Sequence, residues 1–171
     1  MYLGVLMELC VRFRFVSLAV STTRNSIKAP LKTPKQKIIK ELEKVSHDFV
    51  RKRDGIDGEI RGYCFDCGHY AEGQQFQAGH FEPSGSCGAL LRFHPHNMHG
   101  QRGGCNMKFQ QETVKIAYTL AMLRKYGAEY VDFLRSLKNK TIKADVIFYQ
   151  TLLDLYKAGD EKAIINYLHS F

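Results

Sequence analysis

The chain has 171 residues, enough for one compact domain with a tail or a small domain with helical extensions. Hydrophobic residues make up 44%, which argues against wholesale disorder, and 25 Lys and Arg against 17 Asp and Glu give a net charge of +8 that favours a polyanionic partner. The five cysteines are an odd count that does not read as a secreted disulfide framework and fits reduced, metal-binding thiols in a cytosolic setting.

Met1 to Val20 is rich in Leu, Val and Phe, but Glu8, Arg12 and Arg14 interrupt it. It therefore falls short of the roughly 20 apolar residues of a membrane span, and its positive charge sits inside the apolar run rather than before it, unlike a signal peptide. It reads as a short amphipathic element or a dispensable leader, with Cys10 packing as a hydrophobe. Ser21 to Pro34 carries Pro30 and Pro34 and reads as a linker, so residues 1–34 form a leader and linker.

Lys35 to Arg53 has helical periodicity, with Ile38, Ile39, Leu42, Val45, Phe49 and Val50 near one stripe. Arg24 to Arg53 holds ten Lys or Arg against three acids. That charge is either a solvated helix face or a footprint for DNA phosphates. Asp54-Gly55 and Asp57-Gly58 are turn signals. Gly62 to Gly104 has no helical period, and short strands are expected at Phe76 to Phe81 and Ala89 to Phe93, joined by a turn at Pro83-Ser-Gly85. Beyond Asn106 the pattern is helical. Val114, Ala117, Tyr118, Ala121 and Met122 recur at helical spacing up to Gly127, a C-terminal cap. Further helices are expected at 128–137, 144–157 and 160–169.

Cys64-x-x-Cys67 can chelate one zinc ion through a tight turn that Gly68 helps to close, and Cys105 is the third candidate. A knuckle would place the fourth ligand three residues before Cys105, where this chain has Arg102, which cannot ligate a cation. Cys87 is the best chemical substitute, with His99 and His69 as alternatives. His80 ends an expected strand. Imidazole titrates near neutral pH and can take a proton from water, provided a partner orients the ring and a cation neutralises phosphate charge. Asn97 can hold or orient the ring. Asn106, on the first turn of the following helix, can offer its amide oxygen to Mg²⁺. His94 and His96 read as loop histidines.

The run QAGHF at 77–81, then LRFHPHNMHGQ at 91–101, then Cys105-Asn106, resembles the phage NinG (Rap) recombination endonucleases, members of the HNH or His-Me finger nucleases. The resemblance extends from about Lys35 to Leu137, including VSHDFVRKRD before the cysteines and AYTLAMLRKYGAEYVDFL after them. It implies an α+β fold: a small ββα-metal core with a zinc-knuckle-like loop, flanked by helices. The nuclease domain would then span 35–138, with a C-terminal helical extension at 139–171. The implied activity is divalent-metal-dependent cleavage of DNA, favouring branched recombination intermediates, with Mg²⁺ or Mn²⁺ catalytic and Zn²⁺ structural. His80 would be the general base, Asn97 the second motif residue and Asn106 the counterpart of the final histidine of many HNH enzymes. His99 would touch phosphate or metal.

Two departures stand out: Arg102 replaces an expected zinc cysteine, and Gly79 stands where many HNH enzymes have an aspartate metal ligand. The expected DNA contacts are Lys40, Lys44, Arg51, Lys52, Arg53, Arg92, His99 and Arg102. The setting would be the cytoplasm of a bacterial host, with the protein phage- or prophage-encoded, no membrane partner, and a homodimer open beside the monomer. The competing reading is a catalytically impaired zinc-knuckle protein that binds DNA as a recombination accessory factor.

Overall fold

The computed structural model describes residues 33–171. The expected leader, Cys10 and almost all of the expected linker lie outside the described residues. Helix α1 (Pro34–Arg53) starts where the sequence supplies both halves of a capping box: Thr33 accepts from the Gln36 backbone, and the Gln36 side chain accepts from the Thr33 N–H. Pro34 at the first helical position fits the same boundary. Two antiparallel hairpins follow. The first pairs β1 (Arg61–Tyr63) with β2 (Tyr70–Glu72), and the second pairs β3 (Phe76–His80) with β4 (Met98–Arg102). Between β3 and β4 lies the short helix α2 (Ala89–Arg92), and α3 (Gly103–Met107) follows β4 at once. The chain ends in four helices: α4 (Glu112–Tyr126), α5 (Ala128–Ser136), α6 (Val146–Ala158) and α7 (Glu161–His169). Asp145 and Asp160 cap the last two through their carboxylates, and Gly159 closes α6 in the left-handed conformation. Among the described residues no helix is long and apolar enough to cross a membrane.

Residues 89–93 do not form the expected strand. Leu90 and Leu91 are both fully buried, which alternation would forbid in a half-buried strand, and they enter different cores. Leu90 joins Leu42 of α1, Phe93, and Phe148, Leu152, Ile164 and Leu168 of α6 and α7. Leu91 joins Tyr118, Met122, Val131 and Leu134 of α4 and α5. A single helical turn presents adjacent side chains in directions about 100° apart and so bridges the two. The last two helices share a core with α1. The strand that pairs β3 is instead Met98–Arg102, whose first four residues are all buried and include His99 and Gln101. Val50, Ala78 and Met98 form a third small cluster that seats the β3–β4 hairpin on α1.

The C-terminus of α1 holds that hairpin electrostatically. Arg53 and Asp54 pair at 2.8 Å, with side chains 16% and 14% exposed. Arg53 also donates to the Pro95 and Met98 carbonyls and pairs with Glu161 of α7. Asp54 accepts from the Gly100 N–H at 2.8 Å and faces His99 Nδ1 at 3.0 Å. Burial opposes ionisation of Asp54, but hydrogen bonds from His99 and Arg53 and the guanidinium charge outweigh it and hold the carboxyl well below the usual carboxylate range.

His99 therefore does not reach phosphate or the cysteines. It is fully buried, stacked on Phe65 at 3.9 Å, with Nε2 3.1 Å from the Tyr126 hydroxyl. Arg53 is likewise a structural clamp, not a DNA contact. Arg51 donates to the Phe76 and Gly73 carbonyls and is spent on holding β3.

Removing one partner of a buried ion pair strands the other charge, so Asp54→Ala is expected to lower stability by about 3–5 kcal/mol in denaturant unfolding. A second expectation concerns pH. Burial lowers His80, His96 and His99 to about 4 each, so these rings are neutral in the fold where an unfolded chain binds protons below 6.5. Their contribution is complete above pH 6.5 and is lost as pH falls towards 4. The melting temperature should drop across that window, and a flat profile would contradict the buried neutral rings.

Candidate active site and metal centre

His80 sits at the end of β3 and points its ring into a cleft of about 610 Å³ shared with His47 of α1, Asn106 of α3 and the 83–86 turn. Its Nε2 lies 3.2 Å from the Arg92 carbonyl. A carbonyl only accepts, so Nε2 carries the proton and Nδ1 keeps its lone pair. Nδ1 has no hydrogen-bond partner among the described residues. Burial, reinforced by the neighbouring His47, lowers the ring to about 4, so it is neutral near pH 7. The orienting group is thus the α2 backbone.

Asn97 does not touch the ring. It is fully buried: Oδ1 accepts from the Glu82 N–H at 2.9 Å, and Nδ2 donates to the Glu82 and Leu91 carbonyls. These bonds, with Phe81 N–H donating to the Asn97 carbonyl, tie the segment just after His80 to the end of α2. Asn97 acts on His80 by bracing the loop on both sides of the cleft.

Asn106 reaches the cleft with a fixed amide orientation. Gln77 Nε2 donates to the Gln74 carbonyl, so Gln77 turns its oxygen to Asn106 Nδ2 at 2.9 Å. Asn106 Oδ1 is then free and lies 3.1 Å from the point where a Cβ on Gly79 would stand. An amide oxygen suits a hard cation such as Mg²⁺. No carboxylate lines this cleft.

His47 gave no sequence signal beyond its helix. It faces His80 edge-on, ring centroids 5.5 Å apart, beside the Arg92–Glu43 ion pair. Arg92 thus stands at the rim of the site with its charge partly used by Glu43. Lys40, Lys44, Lys52 and Arg102 are exposed.

The cysteine cluster forms at the other end of β4. Cys64, Cys67 and Cys105 are joined by Asp66, with one ligand atom from each all within 4.8 Å of one another, the one such group among the described residues. Gly68 turns the loop at φ 69° and donates its N–H to the Cys64 carbonyl. Three sulfurs and one carboxylate oxygen match the ligand types and number of a closed tetrahedral zinc site, so the cluster can hold a metal ion such as zinc.

The fourth residue of the cluster is Asp66; Cys87, His99 and His69 lie outside it. Cys87 lies beside Glu82 against the α4–α5 core, and the exposed His69 turns Nδ1 to the Cys67 carbonyl. Arg102 keeps a part in the cluster through its backbone: its N–H donates to Cys64 Sγ at 3.1 Å while its side chain is exposed. Burial and the Asp66 carboxylate push the Cys64 thiol up, the repulsion that a bound cation would reverse.

A family model described as Bacteriophage Lambda NinG protein matches residues 21–164. No curated protein and no solved structure matches the chain.

Elemental analysis of the purified protein is expected to find one zinc per chain. Asp66→Ala should weaken zinc retention against a chelator, and Arg102→Cys, placing a thiol on the rim, should strengthen it. Unchanged chelator sensitivity in Asp66→Ala would remove the carboxylate from the ligand set.

Proposed function

The chain belongs to the bacteriophage lambda NinG family, and on that premise we propose that it is a divalent-metal-dependent endonuclease of the HNH, or His-Me finger, class acting on branched DNA intermediates of phage recombination. The observation that carries this reading is His80: a neutral ring, fixed through Nε2–H to a backbone carbonyl, with Nδ1 free in a cleft that also receives the Asn106 amide oxygen. The β3–β4 hairpin with α3 directly behind it supports the ββα assignment.

The chemistry follows from that geometry. His80 Nδ1 takes a proton from a water molecule as the water oxygen bonds to phosphorus and the bond to the 3′-oxygen breaks. The Arg92 carbonyl holds Nε2–H and favours the imidazolium that results. Asn97 keeps both walls of the cleft in register, so the base does not drift from the phosphate. A divalent cation, when bound beside Asn106, supplies charge neutralisation for the phosphate and the departing oxygen. Exposed Lys40, Lys44 and Lys52 on α1, with Arg102, would meet backbone phosphates largely without regard to sequence.

One observation favours a second reading. The cleft has no carboxylate, which suits a DNA-binding recombination accessory protein that does not cut. A four-way junction with Mg²⁺ separates the two. The nuclease reading expects nicking that His80→Ala reduces by about 10²- to 10⁴-fold while junction binding persists. The acid limb of kcat/KM should lie near 4, below the 6.5 of free imidazole, because His80 must be neutral to act. Tight binding without any metal-stimulated nicking would select the accessory role.

A further inference from the structure

Phe109, in the turn between α3 and α4, has no evident part in holding the fold. It is half-buried, it belongs to none of the three apolar clusters, and no aromatic ring or cation among the described residues stacks on it. Phe81 nearby is different: Tyr118 stacks on it with centroids 5.6 Å apart, and the Arg135 guanidinium lies 4.9 Å over its ring. Phe109 instead borders two cavities, the cleft of about 610 Å³ and a second of about 320 Å³, and His80 lines both.

The second cavity has the makeup of a site for an aromatic anion. Phe81, Val114 and Tyr118 join Phe109 in an apolar wall, while Lys115, Arg135 and Lys138 face a single carboxylate, Glu82. Arg135 and Lys138 share that carboxylate at 3.3 and 2.8 Å, and Lys115 is exposed and outside the pairing. His80 is neutral near pH 7, so positive charge is in excess. An apolar slot with an unpartnered ring and surplus cations fits a nucleobase carrying its phosphate, a planar apolar face joined to an anion.

We propose that Phe109 is a stacking residue for one unpaired nucleobase of branched DNA, seated in the smaller cavity, with Lys115 and the Arg135–Lys138 pair meeting its phosphates. Its purpose rests on the nuclease reading: His80 lines the same cavity, so a nucleotide held there brings its phosphodiester linkage beside the ring. A base inside a duplex is stacked on its neighbours, and drawing it out costs least where it is already unpaired. Preference for a branch then comes from an unstacked base and not from sequence, while the lysines of α1 meet the duplex arms.

The chain has no tryptophan, so Phe109→Trp installs a single reporter at the ring in question. The full-length, zinc-loaded variant, without added Mg²⁺, is titrated with a DNA fork bearing one unpaired nucleotide at the branch, with the same fork made abasic there, and with the fully paired duplex. The intact fork should quench the emission, and the abasic fork and the duplex should not. In fluorescence anisotropy with labelled DNA, Phe109→Ala should weaken fork binding by about 5- to 150-fold, the worth of one base–aromatic stack, and leave duplex binding unchanged. Its effect should not add to that of removing the base, and Phe109→Tyr should restore binding. Lys115→Ala should weaken fork binding and lower its salt dependence by about one phosphate contact. The melting temperature of Phe109→Ala should stay near that of the wild type, because the ring lies outside the apolar clusters.

Wild-type fork binding by Phe109→Ala, or tryptophan emission indifferent to the unpaired base, overturns the proposal. If the wild type then still nicks junctions in a His80-dependent way, the nuclease reading stands without it. Base-dependent quenching with no metal-stimulated nicking upholds the stacking residue and selects the accessory role.

Discussion

The hairpin that carries the site is held by the ion pair at the end of α1. Arg53 and Asp54 are consecutive, yet between them they reach Pro95, Met98, His99, Gly100 and Glu161. A helix C-terminus already favours a cation, which places Arg53 well, and Asp54 just beyond it is affordable only because Arg53, His99 and the Gly100 N–H surround it. The doublet fixes β4 in position along α1. Since β3 pairs with β4 residue by residue, with His80 opposite Met98, the position of the imidazole is set by a charge pair that does not line the cleft.

The fold was legible where one periodicity dominated. The amphipathic stripe of α1, the Gly127 break and the two aspartate-capped C-terminal helices all follow from local pattern. The second strand was not, because Met98 is its one buried large apolar residue and the buried residues after it are His99, Gly100 and Gln101 rather than Val or Ile. The apolar run at 89–93 took the strand's place in the reading because short apolar runs have no period of their own. Its two leucines serve two cores, a fact of tertiary arrangement alone.

Within the candidate site, residue types singled out side chains, and their partners could be assigned only in three dimensions. Asn97 is at the cleft wall but bonds to backbone, while the orienting acceptor for His80 is a carbonyl, which sequence cannot single out. Asp66 was overlooked because it lies inside the CxxC spacer, where side chains ordinarily point away from the ion. His99 and Arg53 looked like phosphate contacts because positive or titratable side chains in a basic protein invite that reading; burial decides against it.

The thiol cluster and the His80 cleft are not independent. Cys105 and Asn106 are adjacent in α3, a helix of five residues, too short to be stable by itself. Cys105 turns to the thiol cluster and Asn106 to the cleft, so an ion at the cluster anchors the peptide unit that presents Asn106 Oδ1. The other constraint on that amide is its bond from Nδ2 to Gln77. The Arg102 N–H on Cys64 Sγ extends the same anchorage to the end of β4, next to Gln101. With Arg102 at this position rather than a thiol, the strand–helix junction is still tied to the cluster through the backbone hydrogen bond to Cys64 Sγ, and Asp66 completes the group of four.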